Sequence, residues 1–403
     1  MRRVAVTGIG VISSAGNTRE SFWESLVAGR PGIRPLSITG PTPLRFPNAA
    51  EVVGYDPLAH FEAKQADLLD RFAQFAAVSA REAVADAGIE WTTDLKRRTA
   101  IVTGCCVGGQ STEDIGFVDL YIDKKPRVNP MTIPRIMANA GASFVSTEMG
   151  ITGPVYTVST ACASANHAIG QAFWMVRSGA IEMALTGGSE AIFSYGFLKA
   201  WEAMRVVSPD TCRPFSKDRK GLILGEGGAM LVLEPLERAV ARGARVYAEI
   251  VGFGMSSDAH HITQPAVDGP ANAMRSALED ASLDPAEIGY INAHGTGTAA
   301  NDATETKAIR MVFGDLADKI PVSSTKSMTG HALGAAGALE AAASSLALHR
   351  GILPPTANYT TPDPECSLDV IPNEARPAIV DAALSNAFAF GGLNAVVALR
   401  AVR

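Results

Sequence analysis

The hydrophobic period of this chain switches repeatedly. Short apolar runs that end in glycine alternate with longer runs of helical period. RRVAVTGIG (2–10) reads as a strand closed by glycine. RFAQFAAVSAREAVADAG (71–88) reads as an amphipathic helix with a glycine stop. RTAIVTGC (98–105) reads as a buried strand, and IEMALTGGSEA (181–191) and AMLVLEPLERAVARG (229–243) continue the theme. RVYAEIVGFGMSS (245–257) is a strand and PANAMRSALEDASL (270–283) a helix. IGYINAHGTGT (288–298) is a strand running into a loop. Such alternation dictates an α/β fold with helices layered over sheets.

A faint internal repeat lies over this pattern. An apolar helical run starts at Cys162 and ends at Arg177-Ser178-Gly179. A second, GAAGALEAAASSLALH, starts at Gly334 and ends at Arg350-Gly351. Both follow a Ser-Thr dipeptide, and the two terminal glycines stand at the same distance from the two starts. Chance similarity between alanine-rich helices is the competing explanation. A true repeat makes the chain a duplicated α/β unit whose two equivalent helices face each other at the centre. The boundary then falls near residue 245. DTCRPFSKDRKG (210–221), the most polar stretch, reads as a loop over the surface or across an entrance.

Composition removes other classes. With 403 residues, 47% of them hydrophobic, a large core is available. A net charge of −6 and no long basic run argue against a nucleic-acid surface. Cys105, Cys106, Cys162, Cys212 and Cys366 form neither a disulfide framework nor a CxxC zinc pattern, so a reducing, cytoplasmic setting is expected. No apolar stretch is long enough for a membrane span, and the N-terminus reads as a strand and turn, not a signal peptide.

Four stretches can carry chemistry. In VSTACASA (158–165), Cys162 stands among small residues ahead of a helix. A packed structural cysteine fits there. So does a nucleophile: small neighbours admit a substrate, and a helix N-terminus favours the thiolate. In NAHGTGTAANDATE (292–305), His294 closes a strand, where α/β folds place reactive groups. It can equally be a satisfied structural histidine, and Thr296 and Thr298 can line a tunnel or close a turn. In SSTKSMTGHALGAAGALE (323–340), Lys326 and His331 sit among small apolar residues, a poor setting for solvated surface. SNAFAFGGLN (385–394) is a glycine-rich turn carrying Phe388 and Phe390. No GKS/T follows to make it a phosphate loop.

In the order TACAS, NAHGTGT, KSMTGHALGAAG and NAFAFGG, these motifs resemble one family: the β-ketoacyl-acyl carrier protein synthases that elongate acyl chains, condensing enzymes of the thiolase fold. The resemblance runs from VAVTGIGVISSAGN to FGGLN. It implies duplicated α/β halves in five layers, α-β-α-β-α. Residues 1–245 carry the nucleophile Cys162, and residues 246–403 carry His294 and His331. It implies that Cys162 takes an acyl group from a carrier thioester and that a malonyl thioester then decarboxylates and attacks it, giving a product two carbons longer. By the same resemblance, the backbone N–H groups of Cys162 and Phe390 form an oxyanion hole, and Phe390 with Ala389 forms a gate. Lys326 organises the site with Glu305 as its orienting partner. Thr296 and Thr298 hold a phosphopantetheine arm, and Val107 lies at the end of the acyl pocket. Asn292, Ala293, Glu340, Ser385 and Asn386 match a buried monovalent-cation site for Na+ or K+. No catalytic metal and no further cofactor are implied, because the arm belongs to the partner acyl carrier protein. Relatives form homodimers; a heterodimer with a ketosynthase-like subunit is the second expectation. The alternative is a chain-length-factor-type partner with little activity of its own, although that class lacks the cysteine.

Three features depart from the common family pattern. FAFGGLN stands where FGFGGTN is usual, so Ala389 replaces a glycine and Leu393 a threonine. FEAKQADLLDRF (61–72) keeps Lys64 but carries Ala66, Asp67 and Leu68 where relatives have a basic carrier-docking cluster. Lys124, Lys125, Arg127, Arg205 and Arg213 are candidate replacements. Val107 is of modest size, which suits a medium chain. Together these features keep a specialised polyene, polyketide or signalling-lipid pathway open.

Overall fold

The computed structural model describes residues 1–403. Its main sheet has 11 strands. Five come from the first part of the chain: β1 (Val4–Ser13), β2 (Thr99–Gly104), β3 (Val155–Val158), β4 (Met183–Glu190) and β5 (Gly227–Pro235). Five more come from the second: β6 (Ala248–Ser257), β7 (Ile288–Asn292), β8 (Pro321–Ser323), β9 (Ala382–Ala389) and β10 (Leu393–Arg400). The first set is ordered β1-β5-β4-β2-β3 and the second β6-β10-β9-β7-β8. These are the same order. The pairing senses also match: two antiparallel pairs, then two parallel ones. The repeat suspected from two alanine-rich runs is therefore a duplication of the whole α/β unit. An antiparallel pairing of β1 with β6 joins the sets, and the short strand Asp369–Val370 extends the edge beside β8.

Helices α1 (Arg71–Ala87), α2 (Ser164–Ser178), α3 (Asp268–Ala281), α4 (Ala299–Phe313) and α5 (Ala336–Arg350) complete the layers. Helix α1 starts because the Asp70 carboxylate accepts the Phe72 N–H. It stops at Gly88, whose φ of 60° is the left-handed cap expected at a glycine. It packs only on the first set, and α3 on the second. Helices α2 and α5 touch strands of both sets and each other, so they form the central layer. The order α-β-α-β-α follows.

Close packing explains a pattern hidden in the strands. A side chain at Gly8 or Gly10 of β1 would collide with the carbonyls of Ala83 or Ser79 in α1. At Gly252 or Gly254 of β6 it would collide with Ala277 or Ala273 in α3. The GIG of β1 and the GFG of β6 are thus the same device: a strand stripped of side chains so that a helix can lie on it. The core is one large apolar cluster around the central helices, with a second under α1 and a third under α3.

The segment 210–221 lies partly at the surface, with Lys217, Asp218 and Lys220 exposed, and partly inside. Cys212 and Phe215 are buried, Asp302 accepts the Phe215 N–H, and the Arg219 side chain is buried against Asp302 and Asp363. The Arg219 charge is thus an internal partner of the loop that carries Thr296 and Thr298.

Candidate active site

The two central helices begin beside each other, and each is preceded by a strained turn. Ala161 (φ 48°) and Leu333 (φ 44°) are non-glycine residues in the left-handed region, each three positions before its helix. Cys162 follows the first. It sits in the turn and not in α2, which starts at Ser164. His331 stands just before the second turn, held by its N–H donating to Ile223 O at 2.7 Å.

These turns bring together residues far apart in sequence. His331 Nε2 lies 3.1 Å from Cys162 Sγ. The rings of His294 and His331 meet edge to face at 5.4 Å. Lys326 Nζ lies 3.3 Å from His294 Nδ1. A lysine ammonium can only donate, so Nδ1 accepts and the ring hydrogen stays on Nε2. Phe388 packs its edge on His294 at 6.0 Å. It stands in β9, and only Phe390–Gly392 forms the turn that the sequence suggested for the whole stretch.

One expected pairing is corrected. Lys326 bonds Glu340, not Glu305. Glu305 on α4 accepts the N–H groups of His294 and Gly295, both at 2.8 Å, and the Asn386 amide at 3.2 Å. Its oxygens face the His294 turn and Asn386 rather than the lysine. Glu305 is thus a clamp on the turn that presents His294.

Electrostatics correct a second expectation. Burial pushes the Cys162 thiol up to about 11, against the pull of Lys326 and of the Phe390 and Cys162 backbone N–H groups. The helix start does not make a free thiolate here, because removing the sulfur from water outweighs it. Those same two N–H groups approach the sulfur. Burial, with Lys326 nearby, holds both His294 and His331 well below the usual histidine value, so both are neutral donors and acceptors. Burial pushes the Glu340 carboxyl up to about 7, while Lys326 pulls it down.

Cys162 borders a cleft and an apolar cluster that share Trp201. The cleft is lined by His294, Thr296, Thr298, His331, Phe388, Phe390 and Trp201. Thr296 and Thr298 share a 2.9 Å hydrogen bond, and Thr298 caps α4. The apolar cluster holds Cys162 itself with Ile192, Phe193, Leu198 and Trp201, and Val107 packs against it. The Phe390 ring stacks on Trp201 at 6.2 Å. Ala389 precedes it, half-buried at the end of β9.

Sequence reading missed Trp201 and the loop 258–266. That loop covers the cleft mouth: Gly391 N–H donates to Ile262 O at 2.7 Å, and Asn394 donates to Asp258 at 2.7 Å. Its signal was the adjacent pair His260-His261 in a polar stretch.

Behind the histidines, Asn292 Oδ1, Glu340 Oε2, Ser385 Oγ and Asn386 Oδ1 are all buried without a partner. Asn292 and Ser385 are neighbours in the β7–β9 pairing, and Ala293 follows directly. Unpartnered oxygens of this kind fit a hard monovalent cation. Among the candidate docking charges, Arg213 is engaged by Asp210 and Asp218, and Lys125 by Asp119. Lys64, Lys124, Arg127 and Arg205 are exposed and make no ion pair.

Comparison with known proteins agrees with this geometry. The family "Beta-ketoacyl synthase, N-terminal domain" matches residues 1–239, and "Beta-ketoacyl synthase, C-terminal domain" matches residues 247–360. Nodulation protein E of Rhizobium sp. (strain N33) is 48% identical over 100% of both chains. The 3-oxoacyl-[acyl-carrier-protein] synthase 2 of Staphylococcus aureus (strain COL) is 40% identical over 99% of this chain and 98% of its own. The solved ishigamide ketosynthase/chain length factor superposes with a TM-score of 0.94 at 40% identity, covering 100% of both chains. A cysteine and two neutral histidines, gathered by a duplicated fold and matched along the whole chain, place this protein in the β-ketoacyl synthase family of condensing enzymes.

Proposed function

We propose that the protein elongates an acyl chain held on Cys162 by two carbons from a malonyl thioester, both delivered by an acyl carrier protein. The observation that carries this reading is the 3.1 Å approach of His331 Nε2 to Cys162 Sγ, with His294 beside it. Cys162 Sγ attacks the acyl thioester carbonyl. The carbonyl oxygen is held by the N–H groups of Cys162 and Phe390, and the carrier thiol leaves with the proton. The malonyl thioester then loses CO2, and its electron pair moves onto the thioester oxygen, which the imidazole N–H groups of His294 and His331 receive. The carbon so formed attacks the acyl carbonyl, and the Cys162 sulfur leaves.

Neutral imidazoles suit this task, since each can donate one hydrogen bond in a dry site. Lys326 and Glu340 hold His294 in the required tautomer, and Glu305 holds its backbone. The phosphopantetheine arm runs past Thr296 and Thr298, and the acyl chain enters the apolar side toward Val107. Phe390 swings off Trp201 to admit the malonyl group. A Na+ or K+ ion held by Asn292, Ala293, Glu340, Ser385 and Asn386 supports the histidine turn from behind. Potassium-dependent thermal stability, lost in Asn386→Leu, tests that site.

A specialised pathway is favoured over housekeeping synthesis. Ala389 and Leu393, the missing basic cluster at 61–72, and the higher identity to the nodulation protein than to the synthase of Staphylococcus support it. We infer a cytoplasmic homodimer, with 1–245 and 246–403 as the two halves of each subunit. Strand β3 ends the sheet, and Ile115, Tyr121, Ile122 and Ile133, in the segment between β2 and β3, are between 63% and 71% exposed. A heterodimer is the second reading, favoured by the likeness to a ketosynthase/chain length factor; sedimentation with and without a partner separates the two.

Intact mass after offering acyl-carrier-protein thioesters tests the main reading. Wild type gains one acyl group and Cys162→Ala gains none. No adduct with any donor sinks the elongating reading and restores the partner-subunit one.

A further inference from the structure

Glu190 closes β4 and is fully buried, and it makes no ion pair. Its carboxylate is surrounded by donors alone. Oε1 accepts from Cys105 Sγ at 3.3 Å and Val107 N at 3.2 Å. Oε2 accepts from Cys106 N at 2.7 Å and Gly334 N at 3.1 Å. A buried carboxylate without a cation is costly, so four donors directed at it are a built arrangement. Burial still pushes the group up to about 7.

The two ends of this clamp lead to different parts of the site. Cys106 and Val107 pack against the apolar cluster that contains Cys162 and Trp201. Gly334 follows Leu333 in the turn after His331. A side chain at Gly334 would collide with both Cys106 N and the Glu190 carboxylate, which fixes glycine there. Glu305 bridges two successive N–H groups of the His294 turn in the same manner. The catalytic account above uses Glu305 but leaves Glu190 without a task.

We propose that Glu190 is a positioning residue that locks the Cys106–Val107 wall of the acyl pocket to the His331–Gly334 turn, and thereby sets which chain lengths load onto Cys162. This rests on the reading of Cys162 as the acyl acceptor. Glu190→Gln keeps the volume but turns an NH2 group toward two of the four donors, so the wall and the turn part. A misplaced wall matters most to chains long enough to reach it.

The test is the rate of Cys162 acylation by acetyl and by progressively longer acyl-carrier-protein thioesters, in wild type, Glu190→Gln and Cys105→Ala, with thermal melting in parallel. The ratio of long-chain to acetyl kcat/KM is expected to shift by about tenfold or more in Glu190→Gln, since small misplacements carry such costs. A smaller shift in the same direction is expected in Cys105→Ala, which removes one donor. Equal losses for every chain length, or no loss, overturn the proposal. Should Glu190→Gln not fold, Cys105→Ala decides on the same criterion. Absence of any wild-type adduct overturns the acyl-acceptor reading itself, a distinct failure.

Discussion

The two halves of the molecule share one strand order and divide one task. Each lays a helix on a glycine-stripped first strand, and each opens its central helix after a strained turn. At the turn of the first half stands Cys162. At the equivalent place in the second half stands Gly334, whose missing side chain leaves space for the Glu190 carboxylate. The loop after the second strand shows the same split. In the first half it carries Cys105, Cys106 and Val107 toward apolar residues; in the second it carries His294 toward the cleft. Duplication supplies the frame, and the differences distribute the chemistry. In the proposed mechanism the half with the cysteine holds the acyl chain, and the half with the histidines stabilises charge.

The largest expected effect breaks the charged device found only in the second half. Lys326→Ala leaves Glu340 buried and unpaired, and removing one partner of such a pair costs about 3–5 kcal/mol. Chemical denaturation should show that loss, and Lys326→Ala with Glu340→Ala should be milder than the single change. An additive double variant would mean that the two groups do not act as a pair.

Next come the equivalent glycines. Gly8→Ala and Gly252→Ala both force a helix off its strand, and overpacking of this kind costs about 1–3 kcal/mol. The two losses should be similar. A harmless change at one site and a severe one at the other would show that the halves are packed differently.

Much of this was legible in the sequence. The βα alternation, the helix at 71–88, and the identity of Cys162, His294 and His331 could all be read from period, glycine stops and motif order. The pairing of Lys326 could not. Glu305 and Glu340 are both buried acids on helices, and only the fold shows that Glu305 faces the backbone N–H groups of the His294 turn while Glu340 faces Lys326. The state of the Cys162 thiol was also beyond reach, because local residues signal a helix start but not the depth of burial around it. The polar stretch 210–221 divides for a similar reason: Lys217, Asp218 and Lys220 stay exposed, but Arg219 is satisfied inside by acids far away in sequence.

The smaller effects concern protonation. His294 and His331 both stay neutral below the usual histidine value of 6.5. Histidine protonation should therefore add no acid limb between pH 7 and 6, and a limb there would belong to Glu340, which burial pushes up to about 7. A limb centred near 6.5 that persists in Glu340→Gln would mean that the histidines are hydrated, unlike the buried pair described above. The Cys162 thiol is pushed up to about 11, so its alkylation by iodoacetamide in the empty site should still be rising with pH above 9. A plateau near neutral pH would instead indicate a preformed thiolate.

The division of labour is tested most directly by loading His294→Ala with an acyl-carrier-protein thioester, confirming the adduct by intact mass, and then adding malonyl-carrier-protein. Removing one donor of an oxyanion hole costs about 10²–10³ in rate. The account predicts normal acylation of Cys162 and an adduct that outlasts the wild-type one by that factor, with CO2 release slowed equally. An adduct consumed at the wild-type rate, or a variant that cannot be acylated at all, would contradict the assignment of acyl holding to one half and decarboxylation to the other.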